Sequence, residues 1–144
     1  MRVLLDTNIV VDVLQNRKPW CFDGQKIFLA VANRRITGCI TAKEVTDIHY
    51  FSRKLFKGEE QVDYKARRII VGLFGLFEVL DTQSSDCRRA LLSHCKDYED
   101  AVMIETGLRA NVDCIVTRNE GDYTSSPIPA YSPSHFFVML GSRE

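Results

Sequence analysis

The chain has 144 residues, 45% of them hydrophobic and 26% charged, a composition that suits one globular domain over residues 1–144 and excludes disordered and collagen-like classes. Lys plus Arg equals Asp plus Glu, so the formal net charge at pH 7 is zero. That balance weighs against a protein that coats nucleic acid by bulk attraction, but it permits an enzyme with a local basic patch.

In chain order, Arg2-Val-Leu-Leu-Asp reads as a short buried strand that ends on a carboxylate. Thr7 to Asn16 carries Ile9, Val10, Val13 and Leu14 at helical spacing. Pro19 interrupts, and a second helix runs from Phe22 to Arg35 on Ile27, Phe28, Val31 and Ala32. Ile36 to Thr41 is short and β-branched, hence a strand. Ala42 to Phe56 forms the next helix, Gly58 marks a turn, and Glu60 to Leu76 continues as a fourth helix. Phe77 to Asp81 is the third strand. Ser84 to Cys95 and Tyr98 to Ala110 read as two further helices, Asp113 to Thr117 as the fourth strand, Ala130 to Ser132 as a short fifth, and Ser134 to Leu140 as a closing helix. Short apolar strands alternating with helices predict an α/β fold: a three-layer α/β/α sandwich with a central parallel sheet of four to five strands.

Five cysteines occur, with no C-x-x-C pair. Cys39 and Cys114 lie in apolar runs and read as buried thiols, structural zinc finds no cluster, and the expected compartment is a reducing cytoplasm. Asp6 interrupts the N-terminal apolar segment too soon for a signal peptide. The longest apolar stretch, Ile69 to Phe77, is about half of what a membrane span requires.

In parallel sheets ligands collect beyond the carboxyl ends of the strands, near the point where strand order reverses. Asp6 ends the first strand, Glu44 lies just past the second, and Asn119 and Asp122 follow the fourth, behind Thr117. Asp97 and Asp100 open a helix whose N-terminus can point to the same edge. Crowded carboxylates repel one another unless a cation is present. Hard ions such as Mg²⁺ and Mn²⁺ take such oxygen ligands, and two of them roughly 3.5–4 Å apart can act on a phosphodiester. The expected chemistry is metal-assisted phosphodiester hydrolysis. Each residue also has a local alternative. Asp6 serves equally as a cap for the helix at Thr7. Asp97 suits an N-cap with Asp100 as its N3 partner, Glu44 and Asp47 suit solvated helix surface, and Asp122 suits a turn.

These segments, taken in order, resemble PIN domains. Met1-Arg-Val-Leu-Leu-Asp-Thr-Asn-Ile-Val is similar to the family's opening strand, which ends in D-T/S-N/S, and Thr41-Ala-Lys-Glu to its second acidic motif. Asp97-Tyr-Glu-Asp resembles the third motif in the D-F/Y-E-D form of one toxin-like branch. Thr117-Arg-Asn-Glu-Gly-Asp-Tyr resembles T-R-D/N-x-x-D-F, and Ser132-Pro-Ser-His-Phe-Phe the S-P-x-x-F tail. The resemblance implies a small Mg²⁺- or Mn²⁺-dependent ribonuclease of the VapC toxin type, silenced by an antitoxin. It implies Asp6, Glu44 and Asp100 as the principal metal-binding acids, Asn8 hydrogen-bonding beside them, and the Thr117 hydroxyl orienting an acid or a water. Asn119 stands where many members carry Asp; it offers a carbonyl oxygen, and Asp122 is expected to take over the charge. A weakened PIN-fold module that binds RNA or protein is the alternative.

For RNA contact the candidates are Arg53, Lys54, Lys57, Arg67 and Arg68, residues that also suit plain solvated helix. The apolar run Ile69 to Phe77 exceeds what one buried stripe needs and is expected to serve a homodimer or antitoxin interface. Rival families lack their signatures: no G-x-G-x-x-G follows the first strand, and no G-x-S-x-G elbow occurs. Asn8 stands where a haloacid dehalogenase-like phosphatase needs a second Asp. A response regulator would leave Asp100 and the Thr117-to-Asp122 segment unexplained. His49 and His135 read as packing or surface residues.

Overall fold

The computed structural model describes residues 1–142; positions 143 and 144 of the expected domain lie outside them. Five strands, β1 (Arg2–Leu5), β2 (Thr37–Thr41), β3 (Glu78–Leu80), β4 (Cys114–Val116) and β5 (Ala130–Tyr131), pair in the order β3-β2-β1-β4-β5. Every pairing is parallel. Helices α1 (Thr7–Leu14), α2 (Trp20–Ala32), α3 (Ala42–Leu55), α4 (Val62–Leu76), α5 (Ser84–Ala90), α6 (Tyr98–Arg109) and α7 (Pro133–Gly141) connect and cover them.

The layers follow from the two-residue period of a strand. In β1, Val3 and Leu5 face a cluster that includes Ile9 and Val10 of α1, Ile27 of α2 and Phe136 of α7. Leu4 points the other way, with Cys39 and Ile115, toward Met103 and Ile104 of α6. All three β1 side chains are fully buried, each contributing roughly 1.5–3 kcal/mol of burial. A sheet apolar on both faces needs helices on both, so the expected three-layer α/β/α sandwich with five parallel strands is what forms. Gly107 lets α6 lie close: a Cβ there would stand 3.0 Å from Val112 Cγ2 and 3.1 Å from Leu4 Cδ2.

Local chemistry sets the helix ends. Thr41 and Glu44 form a reciprocal capping box at the start of α3, and Arg53 and Lys54 occupy its last turn, where they complement the helix dipole. Ser132 caps α7 ahead of Pro133. Several expected helix boundaries need correction: the first helix ends at Leu14 rather than Asn16, the second at Ala32 rather than Arg35, and the fourth begins at Val62 rather than Glu60. The second helix begins at Trp20 rather than Phe22, because Pro19 is accommodated as the N-cap. The helix expected to run from Ser84 to Cys95 ends at Ala90. Continuing through Cys95 would carry the chain roughly 7 Å further along the axis. Instead Leu91 and Leu92 turn outward, 72% and 85% exposed. Cys39 and Cys114 are buried as expected. Among the described residues no helix is long and apolar enough to cross a membrane.

A buried carboxylate ties α5 to α6. Asp86 is fully enclosed and accepts from Arg89 Nη2 at 2.7 Å, from Arg109 Nε and Nη2 at 2.9 Å each, from the Thr106 hydroxyl at 3.2 Å and from the Gln83 N–H at 2.8 Å. Burial alone would raise its pKa, but the Arg109 guanidinium and the Gln83 N–H outweigh burial and hold it below the usual carboxylate value. A depressed folded-state pKa gives stability that is present above the unfolded value, about 3.9, and lost as pH falls through the folded one. Replacing Asp86 with Ala is therefore expected to cost about 3 kcal/mol at pH 7. In urea titrations the gap from wild type should narrow as pH drops below about 4.

Candidate functional site

Strand order reverses between β1 and β4, and Asp6 stands at that reversal. Its N–H donates to the Val116 carbonyl at 2.9 Å, which ties the end of β1 to β4. Although Asp6 occupies the N-cap position of α1, its side chain makes no cap hydrogen bond. One oxygen, Oδ2, accepts instead from the Thr117 hydroxyl at 2.7 Å, from Asn8 Nδ2 at 2.9 Å and from the Tyr123 hydroxyl at 3.2 Å. Thr117 also accepts the Asn119 N–H at 3.0 Å, and Asn8 Oδ1 lies 3.4 Å from the Arg118 N–H. Asn8 and Thr117 thus clamp Asp6 to the loop that follows β4.

Asp100 approaches from the first turn of α6. Asp97 caps that helix by accepting the Asp100 N–H at 3.1 Å, so Asp97 takes the capping role and leaves the Asp100 side chain to the crevice. The Tyr123 hydroxyl lies 3.2 Å from Asp100 Oδ1 as well as from Asp6 Oδ2. Glu44 enters from α3 and is buried, not solvated surface. Its Oε2 accepts the Thr41 N–H at 2.7 Å and its Oε1 the Thr7 hydroxyl at 3.1 Å. Asp6, Glu44 and Asp100 together line a cavity of about 350 Å³, shared with Thr41, Lys43 and Tyr50. Lys43 crosses its border, pairing with Asp47 at 2.6 Å and with Glu99 at 2.9 Å.

All three carboxyls are strained toward their neutral forms. Burial, then the neighbouring Asp6 charge, pushes Asp100 up to about 6 despite the Tyr123 hydrogen bond. Burial pushes Glu44 up to about 8, opposed by the Thr41 N–H. Burial also raises Asp6 against its bonds from Thr117 and Tyr123. Among the described residues no three such side chains stand ready-made as a metal cage. Asp6 and Asp100 nonetheless fit a hard cation. The Tyr123 hydroxyl has one hydrogen to donate, so its contacts to two carboxylates require a proton or a cation to relieve the second. Glu44 fits less directly, because both of its oxygens are already engaged.

The remaining candidates lie apart. Asn119 and Asp122 are exposed on the 3₁₀ turn Glu120–Tyr123 and its entrance; neither lines the cavity, although the Asp122 charge helps raise Asp100. Arg53, Lys54 and Lys57 line a second groove. Arg67 pairs with Asp63 at 2.6 Å and borders a third, and Arg68 is exposed. His49 lies 3.2 Å from Asp63 and His135 2.8 Å from Glu120, both surface contacts. Sequence reading overlooked Tyr123 as the bridge between two acids, although the T-R-N-E-G-D-Y segment contains it. It also overlooked Asp12, whose side chain is 1% exposed and lies 3.2 Å from Arg118 Nε. The Arg118 guanidinium stacks 4.6 Å from the Trp20 ring centroid, anchoring the loop that carries Thr117. Only the i+4 position of Asp12 after Asn8 hints at this.

A parallel α/β sheet with acids gathered at its strand-order reversal defines a carboxylate-centred domain. The chain belongs to the PIN-domain family, whose sequence profile matches residues 2–121. It is similar to a chain of VapBC2 from Rickettsia felis bound to promoter DNA, with 15% identity over 92% of this chain and 98% of that one, at a TM-score of 0.65. A Klebsiella pneumoniae toxin–antitoxin complex gives 17% identity, coverage of 91% and 97%, and a TM-score of 0.68. VapC20 of Mycobacterium tuberculosis, a toxin that cleaves the sarcin–ricin loop, gives 9% identity, coverage of 78% and 86%, and 0.58. No significant match is found among curated protein sequences.

Glu44 supplies a thermodynamic check. A carboxyl with a raised folded pKa leaves the folded state holding the extra proton, so stability falls as pH climbs from the unfolded value, about 4.3, toward about 8. Glu44→Gln keeps an acceptor for the Thr41 N–H. In metal-free guanidinium titrations it should come close to wild type near pH 4 and exceed it by more than about 1 kcal/mol near pH 8. Equal stabilities at both pH values would mean that Glu44 is not buried as described.

Proposed function

We propose that this protein is a divalent-metal-dependent endoribonuclease and the toxin of a toxin–antitoxin pair. The observation that carries the reading is the pairing of Asp6 with Asp100 through Tyr123 at the carboxyl edge of the sheet. Two half-buried acids that share one donor are costly to ionise, and a cation removes the cost. Family membership, and similarity to the Klebsiella pneumoniae toxin–antitoxin complex and to VapC20, a toxin that cleaves the sarcin–ricin loop, support the same reading.

Asp6 and Asp100 would hold Mg²⁺ or Mn²⁺, with Glu44 and the Asn119 carbonyl as further oxygen donors and Asp122 adding charge at the rim. When bound, the ion supplies Lewis-acid activation of water and neutralises charge at the phosphodiester. The protein groups orient the site: Thr117 and Asn8 fix Asp6, and Tyr123 sets the separation of Asp6 and Asp100. Val71 and Phe74 of α4 stay 60% and 57% exposed and border a groove with Val45 and Ile70. Part of the apolar run Ile69 to Phe77 is thus open to an antitoxin segment or a second copy, in a cytoplasmic protein. A second reading, a weakened RNA- or protein-binding module, is favoured by the engaged oxygens of Glu44 and by the charge lost at Asn119. Failure of Mn²⁺ to bind at millimolar concentration would select it.

Cleavage of RNA by wild type is expected to require Mg²⁺ or Mn²⁺ and to stop in excess chelator. Asp6→Asn and Asp100→Asn should each lower it on the order of 100-fold or more. Tyr123→Phe should weaken metal affinity roughly 10- to 100-fold. Because Asp100 must lose its proton to take the ion, the rate should rise as pH climbs through about 6. Cleavage that persists in either Asn variant, or in chelator, would sink the mechanism.

A further inference from the structure

The cavity of the three acids does not end at them. Its wall follows α3 outward through Lys43, Asp47, Tyr50 and Phe51, a helical series on one face. Tyr50 also lines the neighbouring groove, with Arg53, Lys54 and Lys57. One exposed aromatic ring therefore joins an acidic cleft to a basic groove. The ring is 59% exposed and is held by an edge-on contact with Phe51 at 5.5 Å. Lys54 Nζ stands 4.6 Å from its centroid. Arg53, Lys54 and Lys57 are all exposed, and among the described residues neither Lys54 nor Lys57 has a salt-bridge partner. From Glu44 to Lys54 the helix rises roughly 15 Å, a span of a few nucleotides.

We propose that Tyr50, flanked by Lys54 and Lys57, is a stacking subsite for an unpaired base of RNA, with the two lysines contacting the adjoining phosphates and the strand leading on into the Asp6–Asp100 cleft. Aromatic platforms beside cations are how proteins hold single strands, and a base inside a double helix has both faces covered by its stacked neighbours. An acidic protein segment would satisfy the lysines. It would not account for the continuity of the groove with a cleft lined by carboxylates. The inference rests on the ribonuclease reading for its substrate, but its test does not depend on cleavage.

Binding of a short fluorescein-labelled oligouridylate to the full chain is measured by anisotropy in chelator, where no cleavage occurs. Parallel cleavage assays contain Mn²⁺. Tyr50→Ala should bind roughly 5- to 100-fold more weakly, the range of one lost base stack, and Tyr50→Phe should retain affinity. Lys54→Gln and Lys57→Gln should each flatten the dependence of log affinity on log salt by roughly 0.7. A hairpin of equal length should bind less well than the single strand. Unchanged affinity in Tyr50→Ala overturns the subsite even if wild type cleaves RNA. A glutamate-rich peptide that binds more tightly than the oligonucleotide and displaces it also overturns the subsite, and assigns the groove to a protein partner. Affinity that depends on Tyr50 in a chain that never cleaves supports the subsite and overturns the nuclease reading instead.

Discussion

Asp6 Oδ2 takes three donors at once, from Thr117, Asn8 and Tyr123, and the architecture of the site depends on this convergence. Parallel pairing sends every strand's carboxyl end to one edge, and the reversal of order between β1 and β4 opens a crevice there. The N–H of Asp6 holds one wall of that crevice to the other. The side chain then collects the start of α1, the loop after β4 and the 3₁₀ turn around a single oxygen atom. Without that oxygen, Thr117 and Tyr123 lose their common partner and Asp100 loses its fixed distance.

The protein buries carboxylates in contrasting ways. Asp86 is fully enclosed and paired with guanidinium groups and an N–H, so its pKa falls. Asp12 is nearly as enclosed, and the Arg118 and Arg17 charges only partly offset burial, so its pKa rises. Asp6, Glu44 and Asp100 have hydroxyl and N–H donors, and among the described residues no basic side chain hydrogen-bonds them; burial wins in each. Structural acids in this chain are given cations by the fold itself. The crevice acids are not; a proton or, under the proposed function, a divalent ion would relieve them.

Helix α3 spans two electrostatic settings. Its N-terminus delivers Glu44, locked by a capping box, to the carboxylate cavity, and its last turn carries Arg53 and Lys54, where positive charge suits the dipole. The features that stabilise the helix ends therefore also distribute charge along the groove. Fold similarity at TM-scores of 0.58 to 0.68 survives identities of 9% to 17%. This is compatible with a core that asks only for apolar residues along strands buried on both faces.

The sequence by itself determined the layers, the parallel sheet and the acids at its edge. The continuous apolar run Val3, Leu4 and Leu5, helical spacing in the segments between strands, and Asp6 directly after β1 are local patterns with local causes. Asp97 as a cap was legible for the same reason, since cap and N3 residue lie three positions apart. Whether Asp6 capped α1 was not legible, because the groups that turn it away, Thr117 and Tyr123, lie more than a hundred positions along the chain. The same distance hid the Tyr123 bridge and the Asp12–Arg118 anchor. The stop of α5 at Ala90 escaped as well, since no Gly or Pro marks it. Local patterning chose the elements; tertiary structure alone decided which oxygen meets which proton, because those pairings join atoms that only the folded sheet brings to one edge.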